Sequence, residues 1–199
     1  MVGHFTVDLR KRRSQEKLQA ALANHLQSQT IDEITIGQLT KTAGVSRQTF
    51  YSNFDSKQSI LLNRIESLFE KTRVYFEANS TREDLGREEI IEISLKYFLT
   101  ECDKNQTVMK AAFTGQAGIQ CMSLLKVLFS KFIADRFRFL FNYNFERKEL
   151  DVITDFYAGA FIGTIQGWLL NEDKDKDVDF VVKQVGKLMP HGLDAYIQG

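Results

Sequence analysis

Residues 43–55 have the sequence AGVSRQTFYSNFD. Upstream of this stretch, Thr35 and Gln38 have the spacing of a capping box, which predicts a helix that starts one residue after the threonine. Gly44 can adopt the left-handed conformation that ends such a helix, and Ser46 can cap a second helix directly afterwards. Two helices joined by so short a turn indicate a helix-turn-helix.

The second predicted helix has an apolar face and a polar face. Phe50 and Phe54 are four residues apart, so they share one face of the helix. The other side chains can donate hydrogen bonds to phosphates and to base edges in a major groove. The same pattern also fits a simple two-helix corner with a solvated polar face and two core phenylalanines. The polar side chains are Arg47, Gln48, Thr49, Tyr51, Ser52 and Asn53.

A further helix is expected directly after this unit. Asp55 is its predicted cap, which places Lys57 in the first turn. A lysine beside the free amides of a helix start can hold a phosphate group. Lys57 is therefore a candidate for a contact with the DNA backbone.

Residues 10–61 resemble the DNA-binding domain of the TetR family of bacterial transcriptional regulators. The family pattern joins an Ala-Gly-Val-Ser turn to a Phe-Tyr-x-x-Phe helix and a lysine three residues later, and all of it is present. One departure is Asn53, where many members carry histidine. The resemblance implies a homodimer that binds double-stranded DNA at a near-palindromic operator. The predicted DNA-binding residues are Thr35, Ser46, Arg47, Gln48, Thr49, Tyr51, Ser52, Asn53 and Lys57.

The composition favours an all-α fold, and the helices expected along the chain number about nine, which is the count that the resemblance implies. Hydrophobic residues make up 43% of the 199 residues, which suits a packed core, and Pro190 is the single proline. Residues 1–56 are the predicted helix-turn-helix DNA-binding domain, and residues 57–199 are the predicted helical effector-binding and dimerisation domain. Beyond residue 55, helices are expected at 56–79, 87–103, 105–114, 119–143, 148–171 and 177–189.

The charge is unevenly distributed although the net charge is zero. Residues 1–57 contain eight basic and five acidic residues, a balance of +3, which leaves −3 for the remainder. The run Arg10 to Arg13 is expected at the N-terminal end of a helix whose apolar stripe begins at Leu18. Such a run can contact DNA phosphates or can simply be solvated.

The last two long helices are the predicted dimer seam. Small residues recur every four positions on the helix at 148–171, which permits close approach of another helix, and the helix at 177–189 carries a valine-rich face. The alternative is that both helices complete a monomeric core. The predicted interface residues are Phe156, Gly159, Ala160, Gly163, Gly167, Val178, Val181, Val182 and Val185.

The region beyond residue 57 is rich in phenylalanine, which can fill a core or line a cavity. Members of the resembled family commonly hold a small effector among the helices of this region, and an apolar pocket suits that role. The chain is therefore predicted to be a repressor that an unknown small molecule releases from DNA. The predicted pocket residues are Tyr97, Cys102, Met109, Cys121, Phe129, Tyr157, Phe161 and Trp168.

The sequence gives no sign of catalysis. Its three histidines are scattered, no metal-binding spacing occurs, and no glycine-rich loop follows a strand. No enzyme activity, cofactor or metal site is predicted, and Cys102 and Cys121 are expected to be small buried residues rather than a redox pair. Without an apolar signal segment or a spanning helix, the protein is expected in the cytoplasm, away from membranes.

A second function of the same fold stays open. Residues 158–169 resemble a subgroup of the family that includes activators working with a protein partner. On this alternative the chain is a co-regulator or activator that responds to a protein rather than to a small molecule. An enclosed cavity favours the first function, and a packed core with an exposed apolar patch favours the second.

Overall fold

The computed structural model describes residues 2–141, 145–171 and 177–198, and all regular structure in these ranges is helical. The predicted all-α fold with about nine helices is confirmed. The helices are α1 (Val2–His25), α2 (Ile36–Ala43), α3 (Arg47–Tyr51), α4 (Lys57–Ser80), α5 (Arg87–Lys104), α6 (Gln106–Ala111), α7 (Gly115–Phe141), α8 (Arg147–Leu170) and α9 (Val178–Gln198).

The chain divides into two compact units. The first unit contains Met1–Ile65 and Thr107–Met122, and the second contains Glu66–Gln106 and Ser123–Gly199. The first nine residues of α4 therefore belong to the first unit and the rest of that helix to the second. The functional division at residue 56 remains a prediction.

In the first unit, α1 packs against α2 and α3. The contact is apolar because Leu18 and Leu22 of α1 are both buried, as are Leu39 of α2 and Ile34, which precedes the α2 cap. Gln19 on α1 also donates a hydrogen bond to Asn63 on α4, at 2.8 Å. The helix-turn-helix thus lies on a buried scaffold formed within its own unit.

The predicted start and end of α2 are confirmed. The Thr35 hydroxyl accepts from the Gln38 amide at 3.2 Å, and the Gln38 side chain accepts from the Thr35 amide at 2.8 Å. Gly44 has a φ of 63°, the left-handed conformation that favours glycine. Ser46 caps α3 by accepting from the Thr49 amide at 3.0 Å.

The cap of α4 differs from the prediction. The Ser59 amide donates to the Ser56 hydroxyl at 3.1 Å, so Ser56 and not Asp55 caps this helix. The reason is the helix start: α4 begins at Lys57, and the capping residue directly precedes the first helical residue.

Several helix boundaries also differ from the prediction: α3 ends at Tyr51, before Phe54, and α6 ends at Ala111 instead of residue 114. α1 extends back to Val2, so the basic run at 10–13 lies in the middle of a helix and the helix dipole has no bearing on it. α7 begins at Gly115 instead of residue 119, so Gly115 and Gly118 both lie within the helix. α9 continues through Pro190 to Gln198, although a proline inside a helix removes one backbone hydrogen bond and commonly kinks or ends the helix.

In the second unit, α5 packs against α9, and Lys96 and Asp179 form an ion pair across this contact at 2.7 Å. The interior is rich in aromatic rings: Phe69 lies 5.3 Å from Phe98 and 4.7 Å from Phe129, centroid to centroid. Within the described ranges, no helix has the length and apolar character required to cross a membrane.

Candidate nucleic-acid interface

Two buried phenylalanines hold α3 in place: Phe50 lies within the helix and Phe54 follows its end. Phe50 is completely buried and Phe54 nearly so, with their ring centroids 6.4 Å apart. This confirms the apolar face predicted from their spacing. Because α3 is only five residues long, burial of Phe50 rather than helix propensity holds it in place.

Three predicted contact residues project from α3 with their polar groups available. Arg47, Gln48 and Tyr51 are exposed, and Tyr51 retains 57% of its accessible surface. In the described part of the chain, none of these side chains makes a hydrogen bond or ion pair. The Arg47 guanidinium extends beside α2, where a Cβ on Gly37 would lie 3.5 Å from its Nη2. These three residues form a compact polar surface, which we call the α3 surface.

The other predicted contact residues lie within α3 or close to its ends and make local hydrogen bonds. Ser46 caps the helix and also bonds the Thr49 hydroxyl at 2.9 Å. Both the Ser52 hydroxyl and the Asn53 side-chain amide donate to the Thr49 carbonyl, at 2.9 and 2.7 Å. Thr35 is engaged in the α2 capping box. These side chains therefore shape the turn, and their contacts with DNA remain predictions.

Lys57 holds the loop that precedes α2. Its ammonium group donates to the carbonyls of Asp32, at 2.7 Å, and Ile34, at 2.8 Å. An ammonium group has three donors, so one is left for a phosphate. Sequence reasoning missed the bonds to the carbonyls because they span more than twenty residues.

The predicted dimer residues have different surroundings on the two helices. On α8, Phe156 is 69% exposed, and Gly159, Ala160, Gly163 and Gly167 are exposed as well. A Cβ added at any of the three glycines would meet no atom within 4 Å, so no contact within the chain requires them to be glycine.

On α9 the valine-rich face points inward. Val182 is buried, whereas Val178, Val181 and Val185 are partly buried. Among residues 178–188 of this helix, the large exposed apolar side chains are Phe180 and Leu188, which the predicted interface omitted. Because a hydrophobic stripe can face either the core or a partner, the sequence pattern did not distinguish these two faces.

The second unit contains a cavity of about 70 Å³. Of the eight predicted pocket residues, Phe129 and Phe161 line it and the other six do not. Tyr97 instead stacks on Tyr75 at 4.2 Å, and Tyr157 packs edge-on against Phe137 at 5.3 Å. The remaining four are buried away from the cavity: Cys102, Met109, Cys121 and Trp168.

The cavity has polar lining residues that the sequence reasoning missed, namely Thr72, Ser94 and Arg136. Arg136 is 6% exposed although it carries a charge. A lone arginine between Phe132 and Phe137 was the available sequence signal. Its burial depends on contacts with other helices, which local spacing does not reveal.

The two cysteines are unreactive by environment. Burial raises the pKa of the Cys102 thiol well above its usual range and that of Cys121 to about 11. The nucleophilic thiolate is therefore scarce at neutral pH. Among the described residues, no group of three or more His, Cys, Asp or Glu side chains is arranged to hold a metal ion.

The chain shows similarity to known regulators in sequence and in fold. A TetR-type family model described as "Transcriptional regulator C-terminal region" matches residues 88–190. The sequence is 25% identical over 117 residues to the HTH-type transcriptional regulator EthR of Mycobacterium tuberculosis. That alignment covers 58% of this chain and 54% of EthR, so the match spans about half the length of this relative.

Solved structures share the fold. The dihydroxyacetone kinase operon activator DhaS has a TM-score of 0.64 at 18% identity, covering 92% of this chain and 97% of that chain. FadR from Bacillus subtilis, solved in complex with stearoyl-CoA, has a TM-score of 0.56 at 15% identity, covering 89% and 96%.

The family model covers more than half of the chain, and the helix-turn-helix has the predicted geometry. Proteins of this family regulate transcription and are not enzymes. The chain belongs to the TetR family of transcriptional regulators.

Proposed function

We propose that this regulator binds a near-palindromic operator in double-stranded DNA as a homodimer and represses transcription until a small-molecule effector releases it. The α3 surface carries the proposal. Arg47, Gln48 and Tyr51 are exposed and have no internal polar partners among the described residues, while the buried Phe50 fixes the helix that presents them. Arginine and glutamine are the side chains that most suit guanine and adenine edges.

Dimerisation would present two α3 surfaces to the DNA at once. Two recognition helices in a twofold dimer read two major grooves about 34–36 Å apart, which is one turn of DNA. The exposed Phe156 and the open glycines of α8 support a helix-packing seam, and the exposed Phe180 and Leu188 extend the candidate seam to α9. Val182 is buried within the protomer, so it would not contact the partner but would hold α9 in place behind this seam.

The cavity in the second unit is the proposed effector site. Phe69, Thr72 and Phe76 of α4 line it, and the same helix begins with Lys57, which holds the loop before α2. A ligand that prefers one arrangement of α4 would therefore shift the α2–α3 segment as well. A useful coupling requires a preference of about 1–3 kcal/mol. The FadR complex with stearoyl-CoA supports ligand binding by this fold.

The alternative is control by a protein partner, and the exposed apolar residues of α8 and α9 are the observation that favours it. These residues also serve the proposed dimer. A cavity with buried polar groups has no role in the alternative, so we place the small-molecule effector first.

DNA recognition can be tested by selecting fragments from a pool of the host genome at several salt concentrations. We expect the wild-type protein to enrich a few near-palindromic fragments. Arg47→Ala should weaken binding by about 1–3 kcal/mol, because it removes a base or phosphate contact. Lys131→Ala, an exposed cation on α7, is the matched control and should bind like wild type.

Two results would contradict the DNA proposal. One is binding without sequence preference that fades with salt in the same way for all three proteins. The other is equal loss for Arg47→Ala and Lys131→Ala, which would indicate general charge attraction rather than a specific surface.

The dimer can be tested by light scattering coupled to size-exclusion chromatography. Phe156→Asp should convert the dimer to a monomer, because a charge would be buried in an apolar seam. Val127→Asp on α7 is the control, since Val127 is 63% exposed and lies outside both seam helices. A Phe156→Asp protein that stays dimeric would move the interface away from α8.

A further inference from the structure

The cavity of the second unit combines aromatic walls with one cation. Helices α4, α5, α7 and α8 contribute its lining, and the rings of Phe69, Phe98 and Phe129 pack against one another at its wall. Apart from Thr72, Ser94 and Arg136, all lining side chains are apolar. An apolar ligand body fits such walls, but the arginine requires a polar or charged partner.

Arg136 is buried and only partly compensated. Its guanidinium lies over the rings of Phe132, at 4.1 Å, and Phe76, at 5.0 Å. Its Nη1 donates to the Phe132 carbonyl at 3.5 Å, while Nε and Nη2 have no hydrogen-bond acceptor among the described residues. Buried donors without acceptors are rare in folded proteins. Two of the three guanidinium nitrogens are thus free for a ligand.

Neighbouring carboxylates do not fill this role. The Glu77 carboxylate is 3.9 Å from Nη2 and already accepts two hydrogen bonds from Arg73, at 2.5 and 2.6 Å. Asp135 lies 3.5 Å from Nη1, and its side chain is 57% exposed. Burial lowers the pKa of Arg136, and Asp135 and Glu77 act in the opposite direction. An arginine in a protein stays protonated, so the cavity keeps its positive charge.

A second polar group lines the same cavity without a partner. The Ser94 hydroxyl is buried and makes no hydrogen bond within the described part of the chain. Thr72 donates its hydroxyl hydrogen to the Leu68 carbonyl at 3.0 Å, which leaves its oxygen as an acceptor. The unpartnered donors therefore belong to Arg136 and Ser94, and both would be satisfied by an anionic oxygen acceptor.

We propose that this cavity binds a monocarboxylate with an apolar tail, whose two oxygens accept hydrogen bonds from Nε and Nη2 of Arg136. The proposal rests on the cavity being the effector site of the proposed function. A guanidinium fork matches a carboxylate in a bidentate manner, and such charge-assisted bonds are the strong ones. A neutral ligand of the same shape without two acceptor oxygens would leave Nε or Nη2 without a hydrogen-bond acceptor, which costs free energy. The tail would contact the phenylalanine rings.

The volume limits the size of the ligand. An engineered cavity of about 150 Å³ holds benzene, so about 70 Å³ holds a carboxylate group and little more. Butyrate has as many non-hydrogen atoms as benzene, so its tail already requires some phenylalanine side chains to shift. We therefore expect butyrate to bind by displacing these side chains, and hexanoate, which buries more apolar surface, to bind more tightly.

The test compares acids with alcohols of equal chain length by isothermal titration calorimetry on the full-length protein. Butyrate should bind about ten- to a hundredfold more tightly than 1-butanol, because its two anionic oxygens accept a pair of charge-assisted hydrogen bonds, whereas the alcohol offers one neutral acceptor. In Arg136→Met this advantage should disappear while the alcohol binds as well as before. Arg136→Lys keeps the charge but loses the fork, so it should retain only part of the advantage. Circular dichroism confirms that each variant is folded.

Several results would overturn the proposal. They are the absence of binding by both butyrate and hexanoate, equal binding of acid and alcohol, and unchanged acid binding in Arg136→Met. DNA release is measured separately on an enriched fragment. If butyrate binds through Arg136 without changing DNA affinity, the site stands and the effector role fails. If a neutral compound releases DNA irrespective of Arg136, the effector role stands and the carboxylate site fails.

Discussion

Polar side chains of the α2–α3 segment and of the cavity in the second unit differ in their hydrogen-bond partners. In the segment, Ser46 caps α3 and Lys57 of α4 donates two hydrogen bonds to the loop before α2, although Asn53 Oδ1 is buried without a partner among the described residues. In the cavity, Ser94 and Arg136 are buried and have polar atoms without partners among the described residues. Polar groups in the segment thus contribute to its stability, whereas those in the cavity cost stability and suit a ligand. Pairs of matched substitutions can test this difference.

The largest effect is expected from two phenylalanines. Phe50→Ala should lower the free energy of unfolding by about 3–5 kcal/mol, because the side chain is completely buried and leaves a void. Phe132→Ala should cost less, roughly 1–3 kcal/mol, because this ring is only partly buried and borders an existing cavity. Urea unfolding at one protein concentration measures both. Equal costs would mean that the cavity wall is packed as tightly as the core of the segment.

The next pair compares two cations. Lys57→Met should cost about 1.5–3 kcal/mol, because it removes charged hydrogen bonds to Asp32 and Ile34. Arg136→Met should be nearly neutral or stabilising, because methionine replaces a buried, poorly paired charge with an apolar group. The same unfolding measurement applies. A large loss of unfolding free energy for Arg136→Met would show that its contacts with Glu77 and Asp135 stabilise the fold. The two cations would then not differ in the expected way.

A smaller change in stability, of opposite sign, is expected for substitutions at two glycines. Gly44→Ala should cost about 1–2 kcal/mol, since an alanine would be held at a φ of 63°. Gly186→Ala in α9 should instead gain about 0.5–1 kcal/mol from the lower chain entropy of the unfolded state. A Cβ at either position meets no atom within 4 Å, so backbone conformation alone sets the sign. Thermal unfolding of the two variants should shift in opposite directions, and a shift in the same direction would contradict this explanation.

The smallest change in stability is expected for substitutions at two serines. Ser46→Ala should cost about 1 kcal/mol through loss of the α3 cap. Ser94→Ala should be neutral or slightly stabilising, because it removes a buried hydroxyl that has no partner among the described residues. Chemical unfolding of the ligand-free protein can resolve the two. Destabilisation by Ser94→Ala would indicate that the hydroxyl is satisfied in solution.

The sequence determined the α2–α3 segment almost completely. The capping box at Thr35 and the left-handed Gly44 were predictable because their interactions span four residues or fewer, and the spacing of Phe50 and Phe54 indicated that both belong to one apolar face. The all-α class also followed from the sequence, since helical periodicity is a local property. One cap was misplaced by a single residue, from Ser56 to Asp55.

The tertiary structure alone decided which groups meet across long separations. It bound Lys57 to the carbonyls of Asp32 and Ile34, and turned Val182 inward while leaving Phe180 exposed. It also gathered Ser94 and Arg136 around one cavity, where the sequence had pointed to other residues. A hydrophobic stripe shows that a helix face is buried but not against what, because burial depends on the packing of several helices at once.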